Sequence, residues 1–200
     1  MPKRFHLALL IVCCLSLSAC SPRDFLTRRL AADLISTSET FRAQQQFELH
    51  TGVISNENYL SPTYRALQHH GWISATNAPC PPSEIPPPCW DVMLTPAGVD
   101  TLQSLIAPGN AEKQSFSIPA AHRELIAITG IAKQGNTAEV EFTWRWLPLN
   151  EVGAALYPTS IHYRSTTILR DYDDGWRLVQ SNADPAQPLD EALKNAEPAQ

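Results

Sequence analysis

The sequence lacks the short motifs that identify the common catalytic and cofactor-binding sites. Its 200 residues contain no G-x-S-x-G nucleophile elbow, no H-E-x-x-H zinc helix and no glycine-rich phosphate-binding loop. We therefore expect a protein that is not an enzyme, with no catalytic residue, no metal site and no cofactor. An enzyme of an unrecognised type stays open as an alternative.

Long hydrophobic runs are absent beyond the amino end. There, Lys3 and Arg4 precede an apolar run from Phe5 to about Ser18. This run of roughly 14 residues is too short to cross a bilayer, for which a helix needs about 20 apolar residues. A short basic stretch followed by such a run is typical of a signal peptide, so residues 1–19 are predicted to be removed.

The end of this run reads Leu17-Ser18-Ala19-Cys20. It resembles the lipobox of bacterial lipoproteins, in which diacylglycerol is attached to the cysteine thiol and a peptidase cuts just before that cysteine. The resemblance implies that Cys20 carries lipid, with further acylation such as palmitate on its amino group, and holds the protein on a membrane of the cell envelope. Ser21 in place of aspartate favours the outer membrane. The alternative is an ordinary secretory signal with a cysteine near the cleavage site.

An excess of positive charge is also absent. Removal of residues 1–19 takes away Lys3 and Arg4, which leaves 13 basic and 20 acidic side chains and a formal charge of −7. An acidic body has no general attraction to nucleic acid, because such binding depends on Lys and Arg contacts with phosphates. We expect no nucleic-acid partner. The expected partners are a membrane, through the lipid, and envelope proteins.

Cysteines are few in the mature chain. Cys13 and Cys14 leave with the signal peptide and Cys20 carries the lipid, so only Cys80 and Cys89 remain. An even number of thiols in an oxidising compartment favours a disulfide between them. Two thiols without a second pair fall short of a zinc site.

The first part of the mature chain alternates helical and extended patterns. Residues 24–36 place apolar side chains at helical spacing, which predicts an amphipathic helix that covers the core or lies on the membrane surface. Residues 41–54 favour an extended chain. Ser61-Pro62 predicts the start of a helix that Gly71 ends, and a Pro-rich loop follows at residues 78–88.

Part of this region resembles the second half of a winged-helix domain. The residues that carry the resemblance are Leu67, Gly71-Trp72-Ile73, the hairpin to Trp90-Asp91-Val92-Met93-Leu94, and Thr95-Pro96-Ala97-Gly98 with Leu102. The resemblance implies a recognition-like helix, a wing hairpin and a last helix. DNA-binding members have a basic wing, whereas this one is Pro-rich and acidic at Glu84, so a shared scaffold with another use is expected.

The second part of the chain favours strands. Patterns at residues 121–133, 137–147, 161–172 and 176–180 predict four antiparallel strands, with a short helix at Glu151–Leu156 and a hairpin turn at Asp173-Asp174-Gly175. The predicted fold class is α+β, in which a winged-helix-like unit at 24–107 precedes a four-stranded sheet at 115–181. A linker is expected at 108–115, and a flexible tail with room for one helical turn at 182–200.

Aromatic residues mark one face of this sheet. Trp144 and Trp146 share a face, and Trp176 is expected nearby. These rings are interpreted as the core of the sheet, with a pocket for a small ligand as the alternative function. The opposite face carries Glu139, Glu141, Arg145, His162, Arg164 and Arg170, for which cross-strand ion pairs are expected.

Overall fold

The computed structural model describes residues 25–81, 86–105, 115–179 and 189–199. The predictions for the signal peptide and Cys20 lie outside these residues, as does nearly all of the expected linker. The described residues combine helices with strands, so the α+β class is confirmed. The elements are α1 (Arg28–Thr37), α2 (Glu39–Arg42), β1 (Gln45–His50), β2 (Gly52–Ser55), α3 (Asn56–Tyr59), α4 (Pro62–His69), β3 (Ile73–Ala78), β4 (Cys89–Leu94), α5 (Pro96–Gln103), β5 (Ser115–Gln134), β6 (Thr137–Pro148), α6 (Glu151–Leu156), β7 (His162–Tyr172), β8 (Gly175–Leu178), α7 (Leu189–Lys194) and β9 (Glu197–Pro198).

The larger sheet is antiparallel throughout and has the strand order β1-β5-β6-β7-β8, with β9 also paired to β7. The four strands predicted for residues 115–181 are present as β5, β6, β7 and β8, and β1 and β9, from outside that range, bring the sheet to six strands. The first addition, β1, places Phe47 opposite Ile118 and Leu49 opposite Phe116. Its partner lies far along the chain, and local periodicity does not reveal such a pairing.

The smaller sheet has three antiparallel strands in the order β2-β4-β3. Helices α4 and α5 flank the β3–β4 hairpin in the chain, at the positions that the sequence predicts. Ser61 caps α4 by accepting a hydrogen bond from the backbone N–H of Tyr64, and Pro62 occupies its first turn. Gly71, with φ of 70°, follows the end of this helix in the left-handed conformation that glycine adopts without strain.

Each face of the larger sheet has its own hydrophobic core. The first half of β5 contributes Phe116, Ile118 and Ala120 to a core shared with Trp72 and Val92 of the smaller unit, which consists of the smaller sheet and helices α3, α4 and α5. On the other face, helices α1, α2 and α7 pack over β5, β6 and β7. The large sheet thus joins the two parts of the chain.

Helix α1 is amphipathic, as the sequence predicts. Thr27 caps it by accepting a hydrogen bond from the N–H of Leu30, and Ala31 and Ile35 are completely buried against the sheet. The apolar side of the helix therefore covers the core, whereas Arg28 and Arg29 are exposed. Within the described ranges, no helix combines the length and the apolar character needed to cross a membrane.

The carboxyl-terminal region is more ordered than the sequence suggests. Residues 189–199 were expected to form a flexible tail, but they contain helix α7 and strand β9. Leu189, Ala192 and Leu193 are buried, and Glu197 pairs with Arg164 of β7. The helical turn that the sequence allows in this tail is a six-residue helix, because three apolar residues within five positions suffice to pack a short helix on a sheet face.

Two helix starts share one arrangement. Thr95 and Asn150 each cap a helix by accepting a hydrogen bond from the N–H of a glycine three residues later, Gly98 or Gly153. An added Cβ at either glycine would overlap the backbone of a neighbouring strand segment, at Trp72 or at Ala120. Only glycine permits this approach, so both helices lie directly on backbone.

Candidate functional site

The aromatic side chains of the larger sheet form one connected cluster. The ring of Trp144 stacks on Tyr163 with centroids 4.7 Å apart and meets Trp146 edge to face at 5.1 Å. Trp146 in turn contacts Tyr157, which follows α6, at 5.4 Å. The guanidinium of Arg123 lies 4.7 Å from the ring centroid of Trp146. The cluster is thus assembled from three strands and one helix end.

Hydrogen bonds fix the centre of the cluster to helix α7. The indole N–H of Trp144 donates to the hydroxyl of Ser165 over 3.0 Å, and that hydroxyl donates to the carbonyl of Ala192 over 2.8 Å. Trp144 is 2% exposed and Ser165 is also buried. A buried indole with a satisfied N–H is the usual state of a core tryptophan.

The three tryptophans predicted as candidate ligand-binding residues have different surroundings. Trp144 and Trp146 are in contact, as their alternation on β6 predicts. Trp176 is buried on β8, where the ammonium of Lys133 lies 4.8 Å from its ring. Trp146 is half-buried and is the most exposed of the three. The faces of these rings therefore contact protein groups.

Arg123 belongs to this cluster but was not identified from the sequence. Its Nη1 donates to the carbonyls of Thr40 and Ala43, at the end of α2, and its Nε is buried with no hydrogen-bond partner in the described part of the chain. Burial lowers the pKa of Arg123. The strand register would have identified it, because Arg123 lies opposite Trp146 on the inward face of β5.

Two tyrosines connect separate elements of the fold. The hydroxyl of Tyr64 on α4 accepts a hydrogen bond from the backbone N–H of His50 and donates to its carbonyl, so it secures the junction of β1 and β2. Burial raises the pKa of Tyr64, partly offset by the bond with His50. Burial likewise raises the pKa of Tyr157, and a hydrogen bond with Gln45 of β1 opposes that rise.

The opposite face of the sheet carries cross-strand ion pairs, as expected. Nε of Arg145 lies 2.6 Å from a carboxylate oxygen of Glu124, and Nε of Arg164 lies 3.4 Å from that of Glu141. All four side chains are at least one-third exposed. Such pairs contribute about 0–1 kcal/mol each, because water screens their attraction. Beyond the core that the first half of β5 forms with the smaller unit, this face is a solvated, charge-paired surface.

The two remaining cysteines are joined, which confirms the predicted disulfide. Cys80 and Cys89 form the bond with their Cα atoms 5.3 Å apart. Cys89 is the first residue of β4, so the link closes the Pro-rich loop at the edge of the smaller sheet. Across residues 25–81, 86–105, 115–179 and 189–199, no three His, Cys, Asp or Glu side chains converge as metal ligands.

Two open clefts lie on the side of the smaller unit. The larger, of about 680 Å³, lies between strand β2, helix α3 and the segment Pro86–Pro88, with His50 and Glu57 as its titratable groups. The other, of about 450 Å³, lies between the two helices α5 and α6 and includes Asp100 and Glu151.

Comparison of the chain with family models, with curated proteins and with solved structures found no match.

Proposed function

We propose that the chain is a bacterial cell-envelope lipoprotein, anchored through lipid on Cys20, that acts through contacts with other proteins rather than by catalysis. The observation that carries the proposal is the sequence Leu17-Ser18-Ala19-Cys20 directly after a basic and apolar leader. One acyl chain binds a membrane only marginally, whereas two or more give a stable anchor. Ser21 favours the outer membrane, on its periplasmic side.

The disulfide supports an envelope location. Bonds of this kind persist in oxidising compartments and are rare in the reducing cytosol. In this chain the bond joins Cys80 to Cys89, nine positions later and at the start of β4. A structural disulfide of this kind is typical of proteins outside the cytosol.

The surfaces of the body support a role in protein contacts. The aromatic rings that suggested a ligand pocket contact one another and Arg123, which favours their use as core. The outer face of the smaller sheet instead exposes Val53 and Met93, which are 38% and 49% exposed. Apolar side chains on a sheet face surrounded by polar neighbours are a common feature of protein interfaces.

The smaller unit is proposed to be a winged-helix-like scaffold without nucleic-acid binding. Its support is the chain order α4, β3, β4 and α5, with β2 as a third strand. Arg65 is the only permanent positive charge on α4. A protein needs several phosphate contacts to bind DNA non-specifically, and one Arg on an acidic body does not supply them.

Metabolic labelling with a fatty-acid probe tests the anchor. We expect Cys20→Ser to abolish labelling and to leave the leader uncleaved at this site. Cys14→Ser is the matched control, because it removes a thiol from the same leader and should leave labelling unchanged. Equal labelling of the Cys20→Ser variant and the wild type would contradict the proposal.

Cross-linking in intact cells tests the mode of action. A photoreactive residue at Met93, on the outer face of the smaller sheet, should yield a discrete adduct with another envelope protein. The same residue at Asn136, on the turn after β5, is the control. Absence of adducts at Met93 and at other surface positions would favour the ligand-binding or enzymatic alternative.

A further inference from the structure

The chain between the proposed anchor and the folded body is short. Seven residue steps separate Cys20 from Thr27, the cap of α1. Even when fully extended, seven residues span no more than about 25 Å. If Cys20 is lipidated, the start of α1 therefore lies close to the headgroups of the membrane that holds the lipid.

The position of α1 on the sheet then fixes which end of the body faces that membrane. Arg28 Nη2 donates to the carbonyl of Thr129, whereas Arg123 contacts the end of α2. Helix α1 therefore begins near the far part of β5 and leads back along it. The turn at Gly135 and Asn136 lies at this same end, and the carbonyl of Asn136 accepts a hydrogen bond from the N–H of Asp171.

The smaller unit lies toward the other end of β5. It packs against Phe116, Ile118 and Ala120. Nine residue steps separate Ala120 from Thr129, which at about 3.3 Å per residue is at most about 30 Å along the strand. The register shifts between Leu125 and Ala127 and between Ile128 and Gly130 shorten it. The tether thus holds one end of the sheet near the membrane and leaves the smaller unit on the distant side.

The side chains at the near end fit an anionic lipid surface. Phe25 is 64% exposed, and Arg28, Arg29 and Lys133 are exposed as well. An exposed aromatic ring enters the headgroup region, and basic side chains bind lipid phosphates. Asp33 on the same helix, and Asp171 and Asp173 beside the Asn136 turn, oppose this attraction. Asp174 of the same hairpin is paired with Arg177.

We propose that Phe25, Arg28, Arg29 and Lys133 form an anchor-side surface that rests on the phospholipid leaflet carrying the Cys20 lipid. This inference rests on the proposed function. The body then has a defined orientation, in which the ion-paired face of the sheet is roughly perpendicular to the membrane plane. The smaller unit with its disulfide loop points away from the lipid. Protein partners then bind the smaller unit, which is the part of the body farther from the membrane.

Quenching by nitroxide-labelled lipid headgroups tests the orientation. Full-length chains with Gln134→Cys or Thr76→Cys are purified with their lipid, labelled with a fluorophore and placed in vesicles of phosphatidylcholine with about one-quarter phosphatidylglycerol. Both positions are exposed: Gln134 lies next to Lys133, and Thr76 lies on β3 of the smaller unit. We expect several-fold stronger quenching at position 134. Equal quenching, or stronger quenching at position 76, overturns the proposal.

A second variant tests the surface itself. Phe25→Ser with Arg28→Gln and Arg29→Gln should reduce the quenching at position 134 by at least half, whereas Arg65→Gln on α4 should not change it. Unchanged quenching in the triple variant overturns the role of these side chains. Lipid on Cys20 is measured by mass spectrometry of the same samples. Its absence overturns the proposed function, while its presence without the expected quenching overturns only the orientation.

Discussion

Replacement of Gly98 by alanine tests the contact between α5 and the segment that leads into β3. A Cβ at this position would lie 2.8 Å from the carbonyl carbon of Trp72 and closer still to its oxygen. The obstacle is backbone, which cannot rotate away like a flexible side chain. The same carbonyl oxygen accepts a hydrogen bond of 3.0 Å from the N–H of Thr95. Any shift of α5 therefore disturbs the helix cap as well.

The expected loss of stability follows from these contacts. The helix must move by about an ångström to restore ordinary packing, and overpacking of this kind costs about 1–3 kcal/mol. Weakening of the Thr95–Trp72 hydrogen bond costs about 1 kcal/mol more. The better helix propensity of alanine returns up to about 1 kcal/mol. We expect a net loss of about 2–3 kcal/mol, or a melting temperature lower by about 5–10 °C.

Urea unfolding followed by tryptophan fluorescence measures this loss. The matched control is Gly130→Ala on β5, where the added Cβ would lie 3.3 Å from the flexible end of Glu141. The control should be neutral or more stable by up to about 1 kcal/mol, since glycine weakens a strand interior. If Gly98→Ala unfolds within about 0.5 kcal/mol of the wild type, the close approach of α5 to Trp72 is refuted.

Three further predictions concern the disulfide, the alkaline stability and nucleic acid. Peptide mapping without reduction should recover Cys80 linked to Cys89, and replacement of both by serine should cost about 2.5–3 kcal/mol; two free thiols would refute the bond. Because the folded state raises the pKa of Tyr64, stability that is present below about pH 10 is lost as pH rises through the folded pKa. Tyr64→Phe should remove part of that alkaline loss in unfolding titrations, whereas Tyr172→Phe should retain it. A mobility-shift titration at about pH 7.5 and 0.1 M salt should show no saturable DNA binding, and a salt-sensitive shift would contradict the assignment of an acidic, non-binding scaffold.

Local patterns predicted the elements that local forces determine. Ser61-Pro62 gave the start of α4, and the alternation along β6 correctly placed Trp144 inward and Arg145 outward. The hairpin at Asp173 and Asp174 follows from turn chemistry, with Gly175 just after it. In each case the residues that determine the element lie within a few positions of one another, so a single sequence is enough to predict it.

Long-range pairing was beyond those patterns. The pairing of β1 with β5 joins Gln45 to Ala121, and a two-fold alternation specifies an inward face but not a partner. Helix α3, for which the sequence patterns predict no element, depends on the Ser55 cap and on the hydrogen bond from Trp90 to Asn56. The place of Arg123 under two tryptophans likewise required the strand register.

The residues that carry the winged-helix resemblance have structural tasks in this chain. Gly71 adopts positive φ after α4, Trp72 is buried, Thr95 caps α5 and Gly98 permits close packing. Each of these four tasks serves the junction between helix and hairpin. Asn150 and Gly153 repeat the cap and close approach at α6, outside the resemblance. The sequence pattern shared with winged-helix domains therefore reflects how these helices pack on neighbouring backbone. The exposed residues of the chain determine what it binds.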